Sequence, residues 1–159
     1  MKSKYLLISL VVLGIFGFYM NFSKEKILWI IPSDSICKSN GGKVKHNSCY
    51  ANWSNAKKIC SASGGSLPSI DILKKVIIEC GGTPVKVVED KDWKKFFDKN
   101  GDNKLYQVCY KKKGFSSNCW SSSSVESNEN LAWFVGFNSG DIGWNTKTYS
   151  LYVHCVKDE

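Results

Sequence analysis

Seven cysteines and two histidines are the side chains in this sequence that could support nucleophilic or metal chemistry. No two cysteines are spaced as Cys-x-x-Cys, which disfavours structural zinc and thioredoxin-like redox chemistry. His46 and His154 lie in no recognisable catalytic motif, so a nucleophile–base pair is hard to assemble. We therefore predict that the protein is not an enzyme and that it holds no metal or cofactor.

Disulfide formation explains the cysteines better than reactivity does. All of them follow an apolar N-terminal stretch that predicts export, and disulfides are the default in an oxidising compartment. Seven is an odd number, so one thiol is left over or pairs between chains. Six of the seven can pair in roughly 105 ways, and the residues alone leave that choice open. The cysteines are Cys37, Cys49, Cys60, Cys80, Cys109, Cys119 and Cys155.

Lysine supplies all of the positive charge, because the 22 basic residues include no arginine and the net charge is +8. Without Lys2 and Lys4 at the N-terminus, 20 basic and 14 acidic residues leave +6. A basic exported domain attracts anionic glycans, lipids or nucleic acid. Lysine lacks the planar fork that recognises phosphate or sulfate with two parallel hydrogen bonds. We expect no nucleic-acid partner. A composition rich in Lys, Asn, Ile and Ser explains the same charge without any ligand.

The candidate binding residues are clustered lysines and two aromatic side chains near the C-terminus. Lys111-Lys112-Lys113 is the densest positive charge in the chain, and a solvated loop is its alternative explanation. Trp144 and Tyr149 offer a stacking surface, for which core packing is the alternative. The full candidate set is Lys57, Lys58, Lys111, Lys112, Lys113, Trp144, Lys147 and Tyr149.

The N-terminus reads as a membrane or export signal. A short basic segment precedes residues 5–22, which contain no charged residue and are typical of a signal peptide or an uncleaved signal anchor. The run is at the lower edge of the about 17–25 residues that span a bilayer. No Ala-x-Ala-like cleavage site follows it, which favours the anchor. We expect residues 5–22 to contact the membrane and the rest to be exported, with residues 23–35 as a linker.

Turn and helix signals divide the segment after the linker. Residues 36–52 predict a hairpin around Asn40-Gly-Gly42, with Cys37 and Cys49 on its two arms. Residues 53–63 predict a helix with Ser54 as its N-cap, and Ser69 caps a second helix. Within the linker, residues 27–31 either extend the anchor or form a first strand that ends at Pro32.

The middle of the chain is harder to assign. Trp93, Phe96 and Phe97 follow helical spacing and predict a short amphipathic helix. Residues 98–103 partly resemble a calcium loop but lack its central glycine and final glutamate, so an ordinary Asn-Gly turn is preferred. A strand is expected from Leu105, and residues 121–124 are either a low-complexity tract or a hydrogen-bonded turn.

The last third of the chain predicts a β-meander around the domain core. Apolar and aromatic residues alternate over 131–137 and again over 150–156, as they do in half-buried strands. Turn-forming residues at 138–141 and 145–148 separate these runs. His154 is expected on a regular strand.

Five motifs in this order resemble the DUF1566 domain, also called the Lcl C-terminal domain after a bacterial collagen-like adhesin. The resemblance covers about residues 44–157. Cys119 stands where the family has Tyr before Trp-Ser-Ser, and His154 stands where it has Arg before the final cysteine. The motifs are Trp53-Ser-Asn-Ala-Lys-Lys-Ile-Cys60, Gly64-Gly-Ser-Leu-Pro-Ser69, Cys119-Trp-Ser-Ser-Ser, Leu131-Ala-Trp-Phe-Val-Gly-Phe-Asn-Ser-Gly140 and Ser150-Leu-Tyr-Val-His-Cys-Val156.

The resemblance implies an α+β, C-type-lectin-like domain over residues 36–159, with two helices packed on short antiparallel sheets and long loops. An N-terminal hydrophobic helix would precede it. The resemblance suggests the disulfides Cys60–Cys155 and Cys80–Cys109, the latter with Cys109 on a strand. Together with Cys37–Cys49 these leave Cys119 free. The rival pairing is Cys109–Cys119, with Cys80 free.

The resemblance implies an adhesion or carbohydrate-binding module that contacts a sulfated or other anionic glycan. The calcium-and-sugar motif of true C-type lectins is missing, which argues against calcium-dependent sugar binding. The alternative is a structural or assembly component of the cell envelope or of a surface appendage, and self-association into a homo-oligomer is open. The expected location is the periplasm or cell surface, anchored in the inner membrane or secreted after cleavage.

Overall fold

The computed structural model describes residues 27–86 and 93–157, so the predicted helix at residues 5–22 lies outside it. Within the two described ranges, no helix has the length and apolar character needed to cross a bilayer. The fold there is α+β, with five helices and ten short strands. The elements are β1 Trp29–Ile30, α1 Asp34–Ser39, β2 Lys43–Lys45, β3 Ser48–Asn52, α2 Trp53–Ala62, β4 Gly65–Ser66, α3 Ile70–Glu79, β5 Val85–Lys86, α4 Trp93–Asp102, α5 Lys104–Lys112, β6 Asn118–Val125, β7 Asn128–Gly136, β8 Asp141–Thr146, β9 Ser150–Tyr152 and β10 Cys155–Lys157.

A seven-stranded sheet forms the centre of the domain, in the order β2-β3-β9-β6-β7-β8-β5. Strands β6, β7 and β8 are successive antiparallel neighbours, so this part of the chain forms a meander. The predicted strand at 150–156 does not continue it, because β9 pairs with β3 and β6 and β10 lies in the other sheet. An antiparallel sheet was expected, but the observed sheet is mixed. Strand β5 runs parallel to β8, and β9 runs parallel to β6. A second sheet of three short strands, β1-β10-β4, joins the two ends of the described chain.

Both faces of the central sheet pack against a core. Successive side chains of a strand point to opposite sides, so each central strand contributes to both cores. On β7, Ala132 joins a core that includes α2 and Trp120. Val135, three residues further along the same strand, belongs to a second core that includes α3, α5 and Phe137. The central strands therefore carry apolar residues on both faces, which explains the long apolar run at 131–137.

The N-terminal part departs from the predicted hairpin in its first arm. Residues 34–39 form helix α1, capped by Ser33, whose hydroxyl accepts a hydrogen bond from the Ile36 N–H. The hairpin lies later, between β2 and β3, and its turn is at His46 and Asn47, both with positive φ. The paired strand β1 also shows that the folded part begins before residue 36.

The two predicted helices are present, although one cap differs. Asn52, and not Ser54, caps α2, since its side chain accepts from the Asn55 N–H. Asn52 is the last residue of β3, so the strand runs directly into the helix without a separate loop. Ser69 caps α3 as predicted, by accepting from the Ile72 N–H.

The turn expected at residues 98–103 is wrong, because helix α4 continues to Asp102. Asn100 is buried within that helix, and its amide group donates to the carbonyls of Thr83 and Ser139 at 2.7 and 2.8 Å. Its side-chain oxygen accepts from the Thr83 N–H at 2.9 Å. An Asn in a helix interior is thus stabilised by tertiary contacts that local turn propensity does not reveal.

The strand expected from Leu105 is helix α5, so the lysines at 111–113 lie at a helix end and not in a loop. Tyr106 and Tyr110 are one helical turn apart and buried. The Tyr106 hydroxyl donates to the Phe137 carbonyl at 2.5 Å, and this contact anchors the helix to the sheet. The alternating aromatic pattern that suggested a strand is also consistent with this helical spacing.

Two further predictions near the C-terminus are wrong in detail. Residues 121–124 belong to strand β6, with register irregularities after Trp120, and do not form a turn. The run 150–156 is two strands, β9 in the large sheet and β10 in the small one. Val153 and His154 lie at the crossing, so His154 is not on a regular strand.

Three disulfides connect these elements: Cys37–Cys49, Cys60–Cys155 and Cys80–Cys109. The last two are the pairs that the resemblance suggests, Cys37–Cys49 is the pair placed on the arms of the predicted hairpin, and Cys119 is the free, buried cysteine. Cys109 lies on α5 and not on a strand. The disulfides join α1 to β3, α2 to β10, and the C-cap of α3 to α5.

Candidate ligand-binding surface

Trp53 is the centre of the most concentrated cation–aromatic arrangement in the described chain. It is the first residue of α2, is half-buried, and its indole N–H donates to the Ser121 carbonyl at 2.7 Å. Its backbone N–H donates to the Lys147 carbonyl at 3.1 Å. These two hydrogen bonds hold the start of α2 against both β6 and the turn that follows β8.

Two lysines place their ammonium groups over the Trp53 ring. Lys57 lies one helical turn after Trp53, and its Nζ is 4.7 Å from the ring centroid. Lys147 comes from the β8–β9 turn, and its Nζ is 4.2 Å from the same centroid. The Lys147 Nζ also donates to the Glu129 carbonyl at 2.6 Å. We call Trp53, Lys57 and Lys147 the Trp53 cluster; it concentrates two positive charges on one indole.

Three tyrosines from β3, β9 and the turn before β9 lie near one another. Tyr149 follows Lys147 by two residues and is 55% exposed. Burial, and secondarily the nearby Tyr149 hydroxyl, raises the pKa of Tyr50. The Tyr50 ring meets Tyr152 edge to face at 5.3 Å, and the Lys45 ammonium lies 4.6 Å from the Tyr50 centroid. Tyr50 is therefore near both Tyr149 and Tyr152, and Lys45 reaches its ring.

The structure does not bring all eight predicted binding residues together. Lys57 and Lys147 meet at Trp53, and Tyr149 follows Lys147 by two residues. Lys58 is the exposed neighbour of Lys57 on α2. Trp144 is 44% exposed on β8, opposite Trp133.

The lysine triplet belongs to a different element and has other partners. Lys113 forms an ion pair with Glu79 at 3.1 Å. The Lys111 ammonium lies 5.7 Å from the Tyr110 ring. Lys112 lines a groove on α5.

Sequence reasoning missed Trp53, Tyr50 and Lys45 as members of this surface. The signal for Tyr50 was present, because it lies between the buried residues Cys49 and Ala51 and so points to the other face of β3. The signal for Trp53 was absent, since its partner Lys147 is distant in sequence and meets it only in the folded state.

Cys119 and His154 form the one cysteine–histidine contact that the hydrogen bonds of the described residues show. The Cys119 Sγ lies 3.6 Å from His154 Nδ1, and both residues are buried. His154 Nε2 lies 2.7 Å from the Gly114 carbonyl, which can only accept. Nε2 therefore carries the proton, and Nδ1 accepts from the thiol.

The buried pair is unsuited to nucleophilic catalysis. Burial raises the pKa of the Cys119 thiol to about 12, so the reactive thiolate is not formed near neutral pH. Burial lowers the pKa of His154, against a smaller opposing effect of its hydrogen bond to Gly114. Phe115 stacks on the imidazole at 4.5 Å. The pair packs the junction between β9 and β10. In the described ranges no group of three or more His, Cys, Asp or Glu is arranged to hold a metal.

Acid is expected to destabilise the fold through His154. Its pKa in the folded state lies below the reference value of 6.5, so below pH 6.5 the unfolded chain binds the proton more readily. Stability present above that pH is then lost as the pH falls through the folded-state pKa, with a slope of up to about 1.4 kcal/mol per pH unit. Thermal unfolding at a series of pH values from neutral to about pH 5 measures how stability changes with pH across the reference pKa of histidine.

The matched control replaces each histidine in turn. His154→Gln should flatten the dependence on pH more than His46→Gln, which replaces the histidine on the exposed β2–β3 turn. The difference from wild type removes contributions of other groups, such as Asp141, whose pKa burial raises. An unchanged slope in His154→Gln would contradict the assignment.

Comparisons of this chain with protein-family models, with curated proteins and with solved structures found no match. The resemblance to the DUF1566 domain therefore rests on the five sequence motifs and stays a prediction.

Proposed function

We propose that the described domain is a non-catalytic binding module that holds an anionic glycan at the Trp53 cluster. The observation that carries this proposal is the convergence of the Lys57 and Lys147 ammonium groups on one indole ring. They come from a helix and a distant turn, so the fold itself brings two like charges together. A sulfate or carboxylate that binds either ammonium group would offset the repulsion between the two charges.

The surroundings of the cluster fit a sugar ligand. Tyr149, two residues after Lys147, offers an exposed ring, and Tyr50 lies near it. Sugar rings stack on aromatic faces while their acidic substituents pair with lysines. The backbone hydrogen bond between Trp53 and Lys147 fixes the helix and the turn relative to each other, so little order has to be created on binding.

The wider context of the proposal is an exported C-type-lectin-like domain at the periplasmic face or the cell surface. The α+β fold and the three disulfides support this context, since disulfides persist in oxidising compartments. The five motifs fall, in order, on α2, on β4 with the N-cap of α3, on β6, on β7 and on β9 with β10.

A heparin hexasaccharide is a suitable probe for the proposed site. The full chain in zwitterionic nanodiscs should bind it, and Lys57→Gln/Lys147→Gln should weaken the affinity about tenfold, which corresponds to about 1.4 kcal/mol. Titration calorimetry measures the dissociation constant, and binding should weaken as salt is raised. A desulfated hexasaccharide should bind less tightly than the sulfated one.

The matched control is Lys75→Gln/Lys99→Gln, which removes the same charge from exposed positions on α3 and α4. This control should change the affinity less than about twofold, because only the long-range field is altered. Equal losses in the two double variants would show that net charge, and not the Trp53 cluster, binds the probe.

A further inference from the structure

Helix α5 presents an apolar strip to solvent. Leu105 is 82% exposed and Val108 51% exposed, although most large apolar side chains of the domain are buried. Together with Cys109 they line a groove of about 530 Å³. The strip is bordered at its two ends by lysines, namely Lys104, Lys112 and Lys113. No acidic residue lines the groove. We call Lys104, Leu105, Val108 and Lys112 the α5 face.

The α5 face lies beside the point where the chain enters the fold. A Cβ atom at Gly114, directly after the helix and its cap, would lie 3.0 Å from Ile31 Cδ1. Phe115 meets the Trp29 ring edge to face at 4.7 Å. Leu28 and Ile31, on either side of β1, are themselves about half exposed. The apolar residues that flank β1 therefore lie near the lysine-rich end of α5.

The distance from this region to the predicted membrane segment is short. The uncharged run ends at Phe22, and Trp29 is already paired in β1. Seven residues span at most about 25 Å when fully extended. Lys24 and Lys26 add positive charge to this connection. A domain tethered so closely must present one side to the lipid surface, and β1 with its neighbours is the nearest side.

We propose that the α5 face lies against the anionic surface of the membrane that holds residues 5–22. Leu105 and Val108 enter the boundary between headgroups and acyl chains, and Lys104 and Lys112 lie at the level of anionic headgroups. An apolar strip bordered by lysines is the pattern of helices that lie in a membrane interface. This inference depends on residues 5–22 remaining in the membrane, and it is independent of the glycan site at Trp53.

Lysine acylation of the full chain in nanodiscs tests the proposal. The chain is placed in discs of phosphatidylcholine alone or of phosphatidylcholine mixed with phosphatidylglycerol, and treated with uncharged N-hydroxysuccinimidyl acetate. Lys104 and Lys112 should react at least about threefold more slowly in the anionic discs, because headgroups cover them. Lys43, exposed on the edge strand β2, is the internal reference and should react equally in both. Peptide mass spectrometry gives the rate at each lysine.

A second variant separates docking of this face from simple charge effects. Leu105→Ser/Val108→Ser changes two exposed side chains, so folding should be unaffected, and it should abolish the protection of Lys104 and Lys112. Equal rates in the two disc types would overturn the proposal. Protection that persists in the double serine variant would also overturn it. Protection that appears only when heparin is added to zwitterionic discs would assign the face to a soluble polyanion instead.

Discussion

Replacing Trp120 with alanine is expected to lower the free energy of unfolding by about 3–5 kcal/mol. Trp120 is fully buried between α2 and the central sheet, and it is the largest side chain with no exposed surface. Its indole N–H donates to the Ala51 carbonyl at 3.0 Å. The substitution leaves both a cavity and a buried carbonyl without its partner. Denaturant unfolding followed by far-ultraviolet circular dichroism measures the loss.

Trp144→Ala is the matched control for the tryptophan prediction. Trp144 sits on β8 of the same meander but is 44% exposed, so its removal creates no closed cavity. We expect a loss below about 1 kcal/mol. Comparable losses in the two variants would mean that the core on the α2 side is not the main source of stability.

Removing the Cys60–Cys155 disulfide by double alanine substitution is expected to cost about 5 kcal/mol on the chain-entropy model. The bond joins residues 95 apart in sequence, so it closes the longest loop of the three. It also connects α2 to β10, which carries the small sheet. The free energy of unfolding under oxidising conditions is the quantity to measure.

The Cys37–Cys49 disulfide provides the comparison, because it closes a loop of only 12 residues. Its removal by the same kind of substitution should cost about 3 kcal/mol on that model. The ranking of the two variants is the test. A larger loss for Cys37–Cys49 than for Cys60–Cys155 would show that loop length does not govern the stabilisation.

The sequence predicted the elements whose signals are local. The meander was recognisable from period-two alternation, and α3 from its Ser69 cap and apolar spacing. Helix α5 was missed because Tyr106, Val108 and Tyr110 alternate as strand residues do. The helix is supported by the Asn103 cap and by the contact between the Tyr106 hydroxyl and the Phe137 carbonyl, 31 residues away, which the alternation does not reveal. The break at His154 was hidden for the same reason, since its partners Gly114 and Cys119 come from another part of the chain.

The candidate site was predictable in kind but not in position. The net positive charge predicts attraction to an anionic ligand, and the candidate aromatic residues predict a stacking surface. The choice among lysines depends on which of them reach the same aromatic ring, and Lys57 and Lys147 do so through the backbone contact between Trp53 and the β8–β9 turn. Density along the sequence favoured Lys111–Lys113, which the fold places on α5.

The pairing of β1 with β10 bears on how the domain responds to mechanical load. Tension at the N-terminus acts first on β1, a strand of two residues that pair with Val156 and Cys155. Once β1 has peeled away, the pull reaches α1, where Cys37 is covalently joined to Cys49. The load then passes through this disulfide to Cys49 and along the chain to Cys60, which is itself joined to Cys155. Under tension the domain would therefore lengthen by one short strand and its connection, and then resist.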